Sequence, residues 1–210
     1  VNKKIKIILL GIVMGFYACG DSSKGTSGSG FVQIPEANIE SEEPEVQDDS
    51  VIYMYSTAPS YANLGGRNAA DWICGMSLPS NLSTLSLSVR AFISIDSNDE
   101  ILDMPANYGV PVNRKIQGAN EEDIIATSWS DLLDGTIAMS LSAAHILSPA
   151  QTFWSGSNPN GSLSVANCNG WTSTAAGVYA AVGDAMSTGN WTYTTSNSCN
   201  GTRPVLCIAY

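Results

Sequence analysis

Cysteine placement sets the first limit on how this chain can fold. Its last residues read CNGTRPVLCIAY, with Cys199 and Cys207 on either side of a turn. Upstream stand Cys74 and Cys168, and far upstream Cys19. In a chain exported to an oxidising compartment, the four later cysteines imply two disulfides with three possible connectivities. Zinc is a poor rival, because it wants close Cys-x-x-Cys pairs or histidines, and the one histidine is His145. Joining Cys199 to Cys207 would only close a small hairpin. PVLCIAY is apolar on both faces, as a central strand must be, so Cys207 has to point into a packed layer. The helix that carries Cys74 is its natural partner, which leaves Cys168 for Cys199. In the chain-entropy treatment the long loop contributes about 5 kcal/mol and the short one about 3.7 kcal/mol, both upper figures.

Export is read from the first nineteen residues, VNKKIKIILLGIVMGFYAC. A short basic stretch precedes IILLGIVMGF, and small Ala18 precedes Cys19. The apolar run is short for a membrane-spanning helix. The pattern is that of a bacterial lipoprotein signal over residues 1–18, with Cys19 lipidated and the chain tied to a membrane. Phe16 and Tyr17 depart from the usual residues before such a cysteine, and the alternative is an ordinary cleaved signal that leaves Cys19 a thiol. Residues 19–50 read as a tether. GDSSKGTSGSG is a flexible Gly/Ser stretch, and EANIESEEPEVQDDS is acidic, lacks aromatics and cannot form a core. The folded domain is expected over residues 51–210. The chain carries a formal charge of −10, and three of its nine basic residues, Lys3, Lys4 and Lys6, lie in the leader. The remainder is more acidic still, which argues against nucleic-acid or polyanion partners.

Within the domain, VIYMYST has the β-branched and aromatic content of a strand. NLGGRNAADWICGMS follows as a helix, with Ala69, Ala70 and Ile73 facing inward, Trp72 a further inward candidate, and Arg67 and Asp71 paired on the outer face. VRAFISI predicts a second strand. A long polar stretch runs from Asp96 to Ser128. SWSDLLDG predicts a short helix capped by Ser128 or Ser130 and stopped at Gly135. FWSGSNPNGS reads as a strand and turn, and CNGWTS, GNWTYTTSNSC and PVLCIAY as the last strands.

This ordered set resembles the C-type lectin-like fold. More narrowly, LGGRNAADWIC, VRAFIS, SWSDLLDG, FWSGSNPNGSL, CNGWTS and CNGTRPVLCIAY are similar in order and content to the endostatin domain of collagens XV and XVIII and to the endostatin-like lipoproteins of spirochaetes. The resemblance spans about residues 51–210. It implies an α+β domain with mixed, mainly antiparallel sheets, two helices, a long loop region and two nested disulfides, Cys74–Cys207 and Cys168–Cys199. It also implies a non-catalytic surface lipoprotein of the bacterial outer membrane that binds matrix proteins such as laminin and fibronectin, or complement regulators.

The departures from the relatives are informative. Calcium-dependent lectins use Glu-Pro-Asn and Trp-Asn-Asp motifs. Here the nearest stretches, Asn158-Pro159-Asn160 and Asn190-Trp191-Thr192, lack the carboxylates, which argues against calcium-bridged sugar binding. The arginines Arg67, Arg90, Arg114 and Arg203 are scattered and expected to be solvated. The histidines with which collagen endostatin holds zinc are missing, so no metal and no cofactor is expected.

Catalytic signals are weak. His145 lies in the small apolar stretch SLSAAHILS, and nothing marks Ser140, Ser142 or Ser148 as an activated nucleophile. The carboxylates Asp96, Asp99, Glu100 and Asp103, and Glu121, Glu122 and Asp123, read as solvated loops. Ligand contacts are expected in the loops, roughly 96–127 and 155–200, since function concentrates in loops on a rigid scaffold. Trp154, Asn158, Asn160, Trp171, Trp191 and Tyr193 are the candidate contacts. Against this stands the commoner role of tryptophan in such a fold, completing the core. Two other classes remain: a structural envelope protein with no host ligand, and an enzyme on a lectin-like fold, which would need a free reactive cysteine.

Overall fold

A computed structural model describes residues 51–120 and 123–210. The leader, Cys19, the tether and the carboxylates Glu121 and Glu122 lie outside the described residues. In chain order the elements are β1 (Ile52–Ser56), β2 (Ser60–Tyr61), α1 (Gly66–Met76), β3 (Val89–Ala91), α2 (Met104–Tyr108), β4 (Ile116–Gly118), β5 (Ile124–Ala126), α3 (Trp129–Leu132), β6 (Thr152–Trp154), α4 (Cys168–Trp171), β7 (Tyr179–Asp184), β8 (Thr195–Ser198), β9 (Thr202–Arg203) and β10 (Leu206–Ala209).

β1 is the middle strand of a five-stranded sheet ordered β3-β10-β1-β4-β5. It runs antiparallel to β10, with Tyr53 opposite Ala209 and Tyr55 opposite Cys207, and parallel to β4. The outer pairings, β10 with β3 and β4 with β5, are antiparallel. A three-stranded antiparallel sheet, β6-β7-β8, and a short ribbon of β2 with β9 complete an α+β architecture with mixed, mainly antiparallel sheets.

Successive residues of a strand point to opposite faces, and here that alternation separates two cores. Ile52 and Met54 of β1 and Leu206 and Ile208 of β10 enter one, with Phe92, Trp129, Phe153 and Trp191. Tyr55, Cys207 and Ala209 enter the other, with Ala70 and Cys74 of α1 and with Trp154 and Trp171. All four residues of β10 are buried, as PVLCIAY implied. Cys207 points at α1 and bonds to Cys74, and Cys168 bonds to Cys199, so the shorter loop is nested inside the longer one. The Tyr55 hydroxyl donates to the Cys74 carbonyl at 2.9 Å, a second tie between β1 and α1.

Several sequence expectations need correction. Four helices occur among the described residues, not two. The stretch from Asp96 to Ser128 is not one polar loop. It holds α2, β4 and β5, and Ile101, Met104, Ile116 and Ile125 from it are fully buried. Their spacing is too short and too interrupted to display a period. VRAFISI forms a ladder only to Ala91; beyond it Ser94 N–H turns to the Ser155 carbonyl, linking the two larger sheets. β7, over YAAVGD, carries little strand signal in the sequence because alanine and glycine have poor strand propensity. On α1, Ala70 and Cys74 are buried but Trp72 is 66% exposed.

Arg67, Asp71 and Asp99 are not solvated either. Arg67 makes a two-pronged contact with Asp99, Nε to Oδ2 at 2.9 Å and Nη2 to Oδ1 at 2.7 Å, and also donates to the Ala91 and Ile93 carbonyls. Asp71 accepts from the Ala91 N–H and from Arg90. Both guanidinium groups lie over the Tyr108 ring, at 5.2 and 4.9 Å. Arg203 sits 4.6 Å from the Trp154 ring and donates to Thr152. These ties bind α1, β3 and α2 into one block.

CNGWTS is not a strand; α4 within it is a single left-handed turn. Cys168, Asn169, Gly170 and Trp171 have φ of 53°, 56°, 65° and 64°, four consecutive residues with positive φ. Non-glycine residues disfavour that region by roughly 1–2 kcal/mol each, so the turn needs outside support. Cys168 is held by its disulfide, Asn167 accepts from Gly170 N–H, and Trp171 donates its indole N–H to the Ser94 carbonyl at 2.8 Å.

Candidate functional site

α2, α3 and the turn at Asn158–Ser162 meet around an open groove of about 610 Å³. Each wall has a local cause. α2 starts after Asp103, carries Pro105 in its first turn and stops at Gly109. α3 starts at Ser128, whose hydroxyl accepts from the Asp131 N–H at 3.1 Å. The Asp131 carboxylate in turn accepts from the Thr127 N–H and hydroxyl, and these two hydrogen bonds hold its pKa below the usual carboxylate value. The backbone N–H of Trp129 donates to the Val112 carbonyl, which fastens α3 to the segment after α2. On the third side Asn158 Nδ2 donates to the Leu163 carbonyl, and Asn160 Oδ1 accepts from the Ser162 hydroxyl at 2.7 Å. Gly161 lets this turn close. Its φ is +82°, and an added Cβ would sit 3.0 Å from Leu133 and 3.1 Å from the backbone of Leu102.

The groove is lined mainly by apolar side chains, Leu102, Pro105, Val112, Trp129 and Leu133, with Asp103, Asn113, Ser130 and Asn160 among its polar groups. Leu102 and Val112 leave about half their surface to solvent, at 46% and 49%. Such a mixture of apolar lining and few polar groups, at this volume, is what ligand sites of folded proteins share. Two groups in it lack partners. The Trp129 indole nitrogen is buried and makes no hydrogen bond; among the described residues only Ser60 Oγ and Arg90 Nε share that condition. The Asp103 carboxylate makes no capping bond to α2, and no ion pair engages it among the described residues. An unmet buried donor costs about 1–3 kcal/mol, which a bound acceptor would relieve.

A second hollow, of about 490 Å³, is lined by Ser56, Ser142, His145, Ser148 and Gln151 among others. Polar groups here already serve the fold. Ser56 Oγ donates to the Ile146 carbonyl, and Gln151 Oε1 accepts from the Ser148 N–H.

The expected contact residues divide sharply. Trp154, Trp171 and Trp191 are fully buried and cannot serve as surface anchors. Their indole N–H groups donate to the carbonyls of Ser60, Ser94 and Leu132, so each completes a core. Tyr193 is half-buried, with its hydroxyl 3.5 Å from Ser196. Asn158 is tied into its own turn, and Asn160 alone of the six lines the apolar groove. Trp129, Leu102 and Val112 carry no site signal in the sequence, and Asp103 reads there as a solvated loop carboxylate. Trp129 was visible only as part of a helix, and the others stood in what read as a polar loop. One signal was present: in ILDM the buried Ile101 and Met104 are three apart, which turns the intervening Leu102 outward.

No helix of the described residues is long and apolar enough to cross a membrane, and no cluster of three or more His, Cys, Asp or Glu side chains suited to a metal occurs among them. No protein-family profile matches the sequence, and no curated protein is similar enough to match it.

Proposed function

We propose that the chain is a non-catalytic binding module of the C-type lectin-like fold, endostatin type. Lipid on Cys19 and the acidic tether carry it at the bacterial outer surface, where it engages extracellular-matrix proteins or complement regulators. The fold assignment is supported by the ordered motifs and by the nested disulfides that join the first helix to the last strand. Binding is supported chiefly by one observation, the apolar groove with an unmet indole N–H among its walls. All four cysteines of the domain are bridged, which weighs against thiol chemistry.

The test is surface plasmon resonance of the oxidised chain against laminin, fibronectin and complement factors, with Leu102→Ser and Val112→Ser as groove variants. The proposal expects saturable binding to at least one of these proteins. A chain that folds, is displayed on intact cells by surface proteolysis and captures none of them is instead a structural envelope protein. Two or more free thiols in the unreduced, unfolded domain would reopen the enzymatic reading.

A further inference from the structure

We propose that the groove takes a basic, extended stretch of polypeptide in which an apolar side chain is flanked by lysine or arginine. This inference rests on the reading of the groove as a binding site and names what occupies it. The apolar walls call for an aliphatic or aromatic side chain. Asp103 offers a carboxylate with no cation against it, and α3 carries Asp131 and, one residue past its cap, Asp134. The domain cannot readily neutralise these groups itself. Between residues 51 and 210 it has five basic residues, Arg67, Arg90, Arg114, Lys115 and Arg203, against eleven acidic ones. Arg67 and Arg90 are bound to Asp99 and Asp71, and Arg203 lies over Trp154. A cationic partner therefore meets in Asp103 a carboxylate that no ion pair among the described residues engages.

Trp129 supplies the second anchor. Its indole N–H needs an acceptor, and a backbone carbonyl suits a site whose nearby carboxylates would repel an anion. The nitrogen is buried, so an occupant that bonds it has to displace a neighbouring part of the wall. Two occupants closer to hand fit badly. The tether segment EANIESEEPEVQDDS is strongly acidic, and a second copy of the domain would bring the same carboxylates face to face.

The experiment uses the full oxidised chain and three capped peptides: one alternating lysine with leucine, one with glutamate replacing lysine, and one with serine replacing leucine. Calorimetry gives affinities, and the indole N–H resonance of Trp129 reports the site. The lysine–leucine peptide is expected to bind and shift that resonance, with the other two at least about tenfold weaker. Trp129→Phe, which keeps a ring and removes the donor, should weaken binding about fivefold. Asp103→Asn should weaken it about threefold and flatten its salt dependence. Should Trp129→Phe fail to fold, Asp103→Asn and the wild-type resonance decide the matter. Equal binding of the glutamate peptide, saturation without a shift at Trp129, or self-association through the groove overturns the proposal. Capture of matrix proteins that Asp103→Asn and Leu102→Ser leave unchanged also overturns it while leaving the adhesive function standing. Groove binding of the basic peptide with no matrix capture does the reverse.

Discussion

The two faces of the five-stranded sheet bury comparable tryptophans and finish them differently. On the α1 side, Trp154 and Trp171 pack edge to face at 6.0 Å, and both indole N–H groups reach a carbonyl. A disulfide ties the sheet to the helix there, and a second closes the neighbouring turn. On the other side Trp191 is equally well served by the Leu132 carbonyl, yet Trp129, edge-on to Phe92 at 5.8 Å, has no acceptor. Burial alone therefore does not distinguish the four tryptophans; satisfaction of the indole N–H does, and an unmet buried donor is the rarer condition.

The largest effect that would break this contrast lies in the long staple. Replacing Cys74 and Cys207 together by alanine should cost up to about 5 kcal/mol, a large share of the stability of a domain this size. Denaturant melts of the two proteins measure it. A loss below about 1 kcal/mol would mean that α1 is held by packing alone. Next in size is Arg67→Met, which strands Asp99 in a half-buried site and should cost about 3 kcal/mol. The double variant with Asp99→Leu should recover much of that loss.

A paired substitution sharpens the comparison itself. Trp171→Phe leaves the Ser94 carbonyl without its donor and should cost about 2 kcal/mol. Trp129→Phe loses the same ring volume but removes a donor that has no acceptor, so it should cost about 1 kcal/mol less than Trp171→Phe. Equal losses at the two positions would show that the Trp129 N–H is satisfied in solution by water.

The smallest expected effect is a pH dependence at α3. Thr127 lowers the pKa of the folded Asp131 carboxyl below that of the unfolded chain. Its stabilising contribution is therefore complete above about pH 4 and fades as pH falls through the folded value. Asp131→Asn should remove this dependence from the acid limb of a stability-against-pH curve, by a few tenths of a kcal/mol at most.

What the sequence revealed tracks how locally each feature is determined. β1 and β10 were legible because runs such as VIYMYST and PVLCIAY carry their burial in their composition. Ser128 was legible because a capping serine acts over three residues. The disulfide pairing followed from the two buried faces of β10. The groove was not legible. It joins α2, α3 and a turn at Asn158–Ser162, and nothing in the sequence announces that Gly161 will lie against Leu102 and Leu133. Trp154, Trp171 and Trp191 misled for the same reason, since whether an indole finds a carbonyl tens of residues away is a tertiary fact. β4 hid because three residues, Ile116–Gly118, suffice when a parallel neighbour supplies the ladder.

The turn at Cys168–Trp171 has a chiral consequence. A mirror-image amino acid is at home where its L counterpart is crowded, and Gly170, at φ 65°, is the place in that turn where the exchange adds only a methyl group. A chemically assembled domain with D-alanine at position 170 should gain roughly 0.4–1 kcal/mol from a less varied unfolded chain, whereas L-alanine should lose stability. The handedness of four residues is thus imposed by a disulfide, an asparagine and an indole, and a synthetic chain could carry it in its own stereochemistry instead.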